Sequence, residues 1–277
     1  MQQRFDRFLG IDWSGAAQAG YRGIAVAECL AGRTAPRLIK PPGGKTWTRS
    51  AVLEWLLAEL ASGSPQQRLL VGFDFAFALP GDGRPLDQLW ADVDARCAGD
   101  ADLLGRRYVE NDPRFWRAGP RPATWNETPR ATESACYAAG LGSPQTPFQL
   151  IGAKQVGKGA LAGMRLLHAL REGASDKIGV WPFDLEDPAT DPRSVCVEIY
   201  PRLFIRRAAL GNRKLRDRDD LNHALNQLDS IGLPSGRFDD HEADALISAA
   251  GLRKLADDAR YWQAGAGQAE GWIFGVP

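Results

Sequence analysis

The sequence predicts an α/β fold, a mixed five-stranded sheet flanked by helices, with a large helical and irregular insertion over about residues 81–192. Three observations support this. Short apolar runs bounded by Gly and Pro alternate with amphipathic stretches of helical spacing. Three of those runs, FLGID at 8–12, LLVGFD at 69–74 and VCVEIYP at 195–201, each carry a single carboxylate at or near the end. A fourth carboxylate lies in the last long helical stretch, which begins DDHEADALISAAGL at residue 239.

The elements follow in order. FLGID is the first strand; YRGIAVAECLAG and APRLIK read as two more, joined by Gly-rich turns into a meander. A helix comes next. In TRSAVLEWLLAELASG the apolar positions Val52, Leu53, Leu56, Leu57 and Leu60 mark one face, Thr48 or Ser50 supplies the cap, and Gly63 lies just past the end. The fourth strand, QRLLVGFDFAFALP, is apolar on both alternations, as a central strand covered on both sides must be. From Pro80 to about Pro192 the alternation dissolves. LDQLWADVDARC and LAGMRLLHALRE keep helical spacing there, whereas RFWRAGPRPATWNETPR does not. The core resumes with the strand at 195, a polar helix at DRDDLNHALNQLDSIG and the closing helix from Asp239. The chain is read as one domain, residues 1–277, with its core in 1–80 and 193–277 and no internal repeat.

Composition narrows the partners. The 277 residues are 44% hydrophobic, ample for a packed core, and 34 basic residues balance 34 acidic ones. No uniform positive field therefore drives the chain onto nucleic acid or an anionic membrane, so any polyanion must be gripped locally. Cys29, Cys97, Cys136 and Cys196 are far apart and share no zinc-ligand spacing, which fits a reducing compartment. MQQRFDRF runs straight into the first strand, and no apolar stretch reaches the roughly 20 residues needed to span a bilayer. No membrane association and a cytoplasmic location are the expectations.

The carboxylates carry the functional argument. An unpaired ionised carboxylate in a buried strand costs several kcal/mol, so such a group is kept for a reason. Asp12, Asp74, Glu198 and Asp244 are expected to converge on a divalent cation, which converts their repulsion into coordination. Each has a structural alternative. Asp12 and Asp74 could cap turns or pair with buried Arg, and Glu198 could hold the YPR turn or Arg202. Asp239 and Glu242 have the spacing of a capping box and are assigned to the helix start. Asp244 lies beyond that cap, with Ser248 and Gly251 on its face to let the helix approach the sheet closely.

Three meander strands, a helix, two more strands and a closing helix that returns a carboxylate to the first strand are the layout of the ribonuclease H-like core. GIDWSGA, GFDFAFALP, PFQLIGAKQVGKGALAGMRLL, VEIYPR, DDHEADALISA and EGWIFGVP, in this order and spacing, resemble the predicted RNase H-like nucleases of domain-of-unknown-function family 429. The resemblance covers nearly the whole chain. It implies a two-metal mechanism, with two Mg²⁺ or Mn²⁺ ions roughly 4 Å apart activating a water and stabilising the leaving oxygen of a phosphodiester. Asp12 would bridge both ions, Asp74 would complete one, and Asp244 would close the site. His241, three residues before Asp244 and on the same helical face, would be a further ligand or a proton carrier.

Substrate contacts are expected from FQLIGAKQVGKGALAG. There Lys154, Gln155 and Lys158 sit near a helix N-terminus suited to phosphate, with Ser14 of the DWSGA turn facing the same task. The alternative is an ordinary Gly-rich helix start with solvated lysines. Walker spacing is absent, so nucleoside triphosphate binding by that route has no support. The cluster Arg206, Arg207, Arg213, Lys214 and Arg216 reads as an acid-balanced surface or as a set of phosphate contacts, and Trp116 and Trp125 as packing anchors for the insertion or as stacking faces for unpaired bases. The leading expectation is a metal-dependent phosphodiester hydrolase, a nuclease acting on a nucleic acid or nucleotide. The alternatives are an ATP phosphotransferase of the actin and sugar-kinase group, and a non-catalytic binding module that retains the fold.

Overall fold

The computed structural model describes residues 4–16, 23–63, 67–122, 125, 127–152, 155–185, 187–265 and 267–277. Strands β1 (Arg7–Asp12), β2 (Ala25–Leu30) and β3 (Arg37–Ile39) form the expected meander, and helix α1 (Arg49–Ser62) leads to β4 (Leu69–Phe73). Then come α2 (Leu86–Arg96), α3 (Ala131–Ala138), α4 (Gly157–Ala174), β5 (Ile178–Val180) and β6 (Ser194–Glu198). Helices α5 (Pro201–Arg207), α6 (Arg218–Gln227), α7 (Asp240–Leu255) and α8 (Ala259–Ala264) complete the order.

The sheet has six strands in the order β3-β2-β1-β4-β6-β5, one more than expected. The meander is antiparallel, and β1, β4, β6 and β5 run parallel to one another. The additional strand β5 is only three residues long, too short to show a periodicity, and takes its extended form from pairing with β6. It falls within 81–192, the segment read as an insertion. That segment also supplies α2 and α4, which pack on each other, while α1 packs on α4.

Period-two alternation places the two cores. Leu9, Ile11, Val71 and Phe73 point to the side covered by α1, α2 and α4, where Val52, Leu56, Trp90, Leu161 and Leu167 are buried. Phe8, Leu70, Val195 and Val197 point to the other, where Phe204, Leu221, Leu246 and Leu252 of α5, α6 and α7 cover them. Trp125 is buried and its ring lies 5.6 Å from that of Trp116, so this pair anchors the irregular segment. Among the described residues, no helix is long and apolar enough to cross a membrane.

One contact sets how closely α7 approaches the sheet. A Cβ built on Gly10 of β1 would come 2.4 Å from the Ala245 carbonyl oxygen and 2.9 Å from Ser248 Cβ. The small residues of α7 therefore press the helix against β1 with no room for a side chain between them, and the neighbouring Asp244 is carried to the end of that strand.

Candidate functional site

Because β1, β4 and β6 are parallel, their carboxyl ends share one edge of the sheet, the usual place for a site in such folds. Asp12 ends β1 and is buried at 6% exposure. Asp74 directly follows β4, and its N–H donates to the Ile11 carbonyl at 3.1 Å, which ties the two carboxylate-bearing ends together. Asp244, in the second turn of α7, faces the same point. The structure thus brings together Asp12, Asp74 and Asp244: the charges of Asp12 and Asp244 both act on Asp74, and that of Asp12 acts on Asp244.

The electrostatics record this crowding. Burial, then the charges of Asp12, Asp244 and Glu198, push the Asp74 carboxyl well above the usual carboxylate range. Burial and Asp12 push Asp244 up to about 7. Asp12 is also raised by burial, against the opposing pull of His241, whose Nδ1 lies 2.7 Å from Asp12 Oδ2. That hydrogen bond in turn raises the imidazole pKa. The repulsion among these acids is offset in part by the His241 ring and, at Asp244, by the charge of Arg202.

Glu198 departs from the expected ligand set. It lies at the end of β6, but its Oε1 accepts from Arg130 Nη2 at 2.5 Å and its Oε2 from Arg130 Nη1 at 2.8 Å. The Phe77 N–H also donates to Oε2, at 3.1 Å. Arg130, 1% exposed, is shared with Glu133 at 2.9 Å. Burial opposes the guanidinium charge, yet Glu198 and Glu133 together raise its pKa. Both carboxylate oxygens of Glu198 therefore accept from a buried guanidinium, an ion pair that ties the segment before α3 to the sheet.

Two elements build the wall facing the acids. The turn after β1 is fixed by Arg49 of α1, whose Nη1 donates to the Ser14 carbonyl at 2.7 Å and the Ala16 carbonyl at 3.1 Å. Trp13 Nε1 donates to the Gly159 carbonyl at 3.1 Å. A Cβ on Gly15 would meet the Lys158 carbonyl carbon at 2.2 Å, so only glycine lets this turn lie on the first turn of α4. The result is a cavity of about 610 Å³ lined by Ser14, Gln155 and Lys158 on one side and by Asp74, Glu198 and Tyr200 on the other. Lys158 Nζ lies 3.3 Å from Gln155 Oε1. Lys154, the remaining expected contact, lies outside the described residues.

Sequence reasoning missed Arg130 and Glu133 as parts of this site. Their signal was the i, i+3 spacing of opposite charges at the start of α3, a pairing common on any helix. In the other basic cluster Arg213 pairs with Asp220 and Lys214 with Asp240, whereas Arg206 and Arg207 donate to the Gly140 and Gly275 carbonyls. Among the described residues, no three His, Cys, Asp or Glu side chains already stand together as a metal-ligand group. No protein-family model, curated protein or solved structure matches the chain.

Proposed function

We propose that this protein is a metal-dependent phosphodiester hydrolase of ribonuclease H-like fold, acting on a nucleic acid or nucleotide. The observation that carries the reading is the convergence of Asp12, Asp74 and Asp244 at one sheet edge, with pKa values raised by burial and mutual repulsion. Buried like charges that His241 and Arg202 offset only in part are what a hard divalent cation relieves, and the donor set is all carboxylate oxygen, which suits Mg²⁺ or Mn²⁺. Asp12, Asp74 and Asp244 would hold the metal. Bound there, it would supply a water of lowered pKa and positive charge at the phosphoryl oxygens.

The rest is done by the chain's own groups. His241 holds Asp12 in a fixed rotamer through Nδ1, and with Asp12 ionised the Nδ1–H is the donor. Ser14 Oγ accepts from the Ala16 N–H at 3.1 Å, which leaves its hydroxyl proton free to donate to a phosphate oxygen. Lys158 and the N-terminal turn of α4, which carries no acidic residue, supply positive potential across the cavity from Asp74. The phosphodiester is thus gripped on one side and faced by the acids on the other.

The test is hydrolysis of bis(p-nitrophenyl) phosphate and of labelled RNA and DNA in Mn²⁺ or Mg²⁺, by the native chain and by Asp12→Asn. Cation-dependent cleavage lost in the variant supports the reading. Equal cleavage by both, or none by the native chain on any of these substrates, overturns it.

A further inference from the structure

A second groove, of about 620 Å³, lies on the other side of Asp12 along the sheet. The cavity described above is set against the ends of β4 and β6; this one is floored by β2 and β3, at Ala25, Val26 and Ile39. It borders the acidic cluster through His241. Ala25 stands opposite Asp12 in the β1–β2 ladder, and His241, which lines the groove, is hydrogen-bonded to Asp12.

Its rim carries Lys40, Lys45 and Arg237, all exposed, together with the partly exposed ring of Phe238. Among the described residues these three cations make no ion pair and no side-chain hydrogen bond, unlike Arg213 and Lys214, which are paired with Asp220 and Asp240. The two carboxylates on the same rim, Asp239 and Glu242, each accept the other's backbone N–H in the cap of α7 and do not reach the cations. The positive charge is therefore left for something outside the chain, and it is spread along a groove instead of gathered at one point.

We propose that this groove is the track of a polynucleotide strand. Lys40, Lys45 and Arg237 would contact successive phosphates, and Phe238 would offer a face to a base. Resting on the hydrolytic reading above, this makes the target an internal phosphodiester with nucleotides on both sides of the acidic cluster, one arm in each groove, and not a free nucleotide.

Binding of fluorescein-labelled 20-mer RNA and DNA to the full chain, followed by anisotropy without divalent ions, tests this. Exposed side chains can be changed without disturbing the core, and an unaltered melting temperature checks that the variant is folded. The combined variant Lys40→Ala, Lys45→Ala and Arg237→Ala should bind at least about tenfold more weakly at moderate salt. Its slope of log affinity against log salt should fall by about 2, from three lost single-strand phosphate contacts. The RNA and DNA arms identify which strand the groove prefers. Unchanged affinity and slope, no oligonucleotide binding by the native chain, or equal competition by polyglutamate would each overturn the track. Hydrolysis of bis(p-nitrophenyl) phosphate by the native chain reports on the catalytic reading alone. Strand binding through the groove without that hydrolysis would remove the hydrolase and leave the track standing.

Discussion

His241 Nδ1 lies 2.7 Å from Asp12 Oδ2, so the first turn of α7 is bonded to the last residue of β1 at the point where the acidic cluster begins. The bond couples two titrations, because each partner stabilises the charged form of the other. Without the imidazole, burial acts on Asp12 unopposed.

A shifted pH profile follows for His241→Ala. Hydrolysis requires ionised acids, and loss of the imidazole raises Asp12 further, so the acid limb of log kcat/KM should move to higher pH. A ring that only packs against the strand would lower stability and leave the limb in place. Rates between pH 5 and 9 at saturating Mn²⁺ decide between them.

Asp12→Asn should leave the fold intact and the metal-free protein at least as stable as the native chain, because one of several mutually repelling buried charges is gone. Only the native chain should then gain stability from Mn²⁺, by about 2.7 kcal/mol at a hundredfold excess over the dissociation constant. Thermal midpoints with and without millimolar Mn²⁺ measure both effects. An equal rise in the variant would place the cation elsewhere.

Asp244 gives a stability prediction of defined sign. Its folded pKa, about 7, lies above the ordinary value of 3.8, so the native state holds that proton more tightly than the unfolded chain. The resulting stabilisation is complete below about pH 4 and is lost as pH rises through 7. Relative to native, metal-free Asp244→Asn should therefore grow more stable between pH 4 and 8, by on the order of 3 kcal/mol. Denaturant titrations of both proteins across that range measure the difference, and a constant offset would show that Asp244 titrates normally.

What the sequence revealed and what it hid have physical reasons. A carboxylate in a buried apolar run is conspicuous, so Asp12, Asp74 and Glu198 stand out on the strands, and Asp239 with Glu242 forms the capping box their spacing predicts. The partner of Glu198 was not legible. Arg130 lies 68 residues away in a stretch without periodicity, and only the tertiary path of that stretch brings it back to β6. The sixth strand was hidden for a similar reason, since three residues have no period and β5 exists through its pairing with β6. His241 was placed on the right helical face by its spacing from Asp244, but its contact with Asp12 depends on how closely α7 crosses β1.

That crossing yields the next prediction. In Gly10→Ala the new methyl would lie 2.4 Å from the Ala245 carbonyl oxygen, so β1 and α7 must separate. Overpacking of this kind costs about 1–3 kcal/mol, and here it also draws Asp244 and His241 away from Asp12. Calorimetry should show a lower melting temperature and a smaller rise with Mn²⁺. A variant with native values for both would mean that the helix has room to spare.

Glu198 and Asp12 end the two strands that flank β4 at the same sheet edge, yet they should respond to neutralisation in opposite ways. Glu198 already has its counter-charge in Arg130, with hydrogen bonds to both oxygens. Glu198→Gln leaves a buried guanidinium with one anionic partner fewer, and Arg130→Ala leaves two buried carboxylates without their counter-charge. Breaking a buried pair in this way costs about 3–5 kcal/mol. Both variants should therefore be destabilised in metal-free buffer, where Asp12→Asn is not, and Glu198→Gln should still be stabilised by Mn²⁺. If Glu198 instead belonged with the cation ligands, its Gln variant would behave as Asp12→Asn does, with no loss of metal-free stability and no response to Mn²⁺. Chemical denaturation of the three variants side by side, with and without the cation, separates an anchor from a ligand.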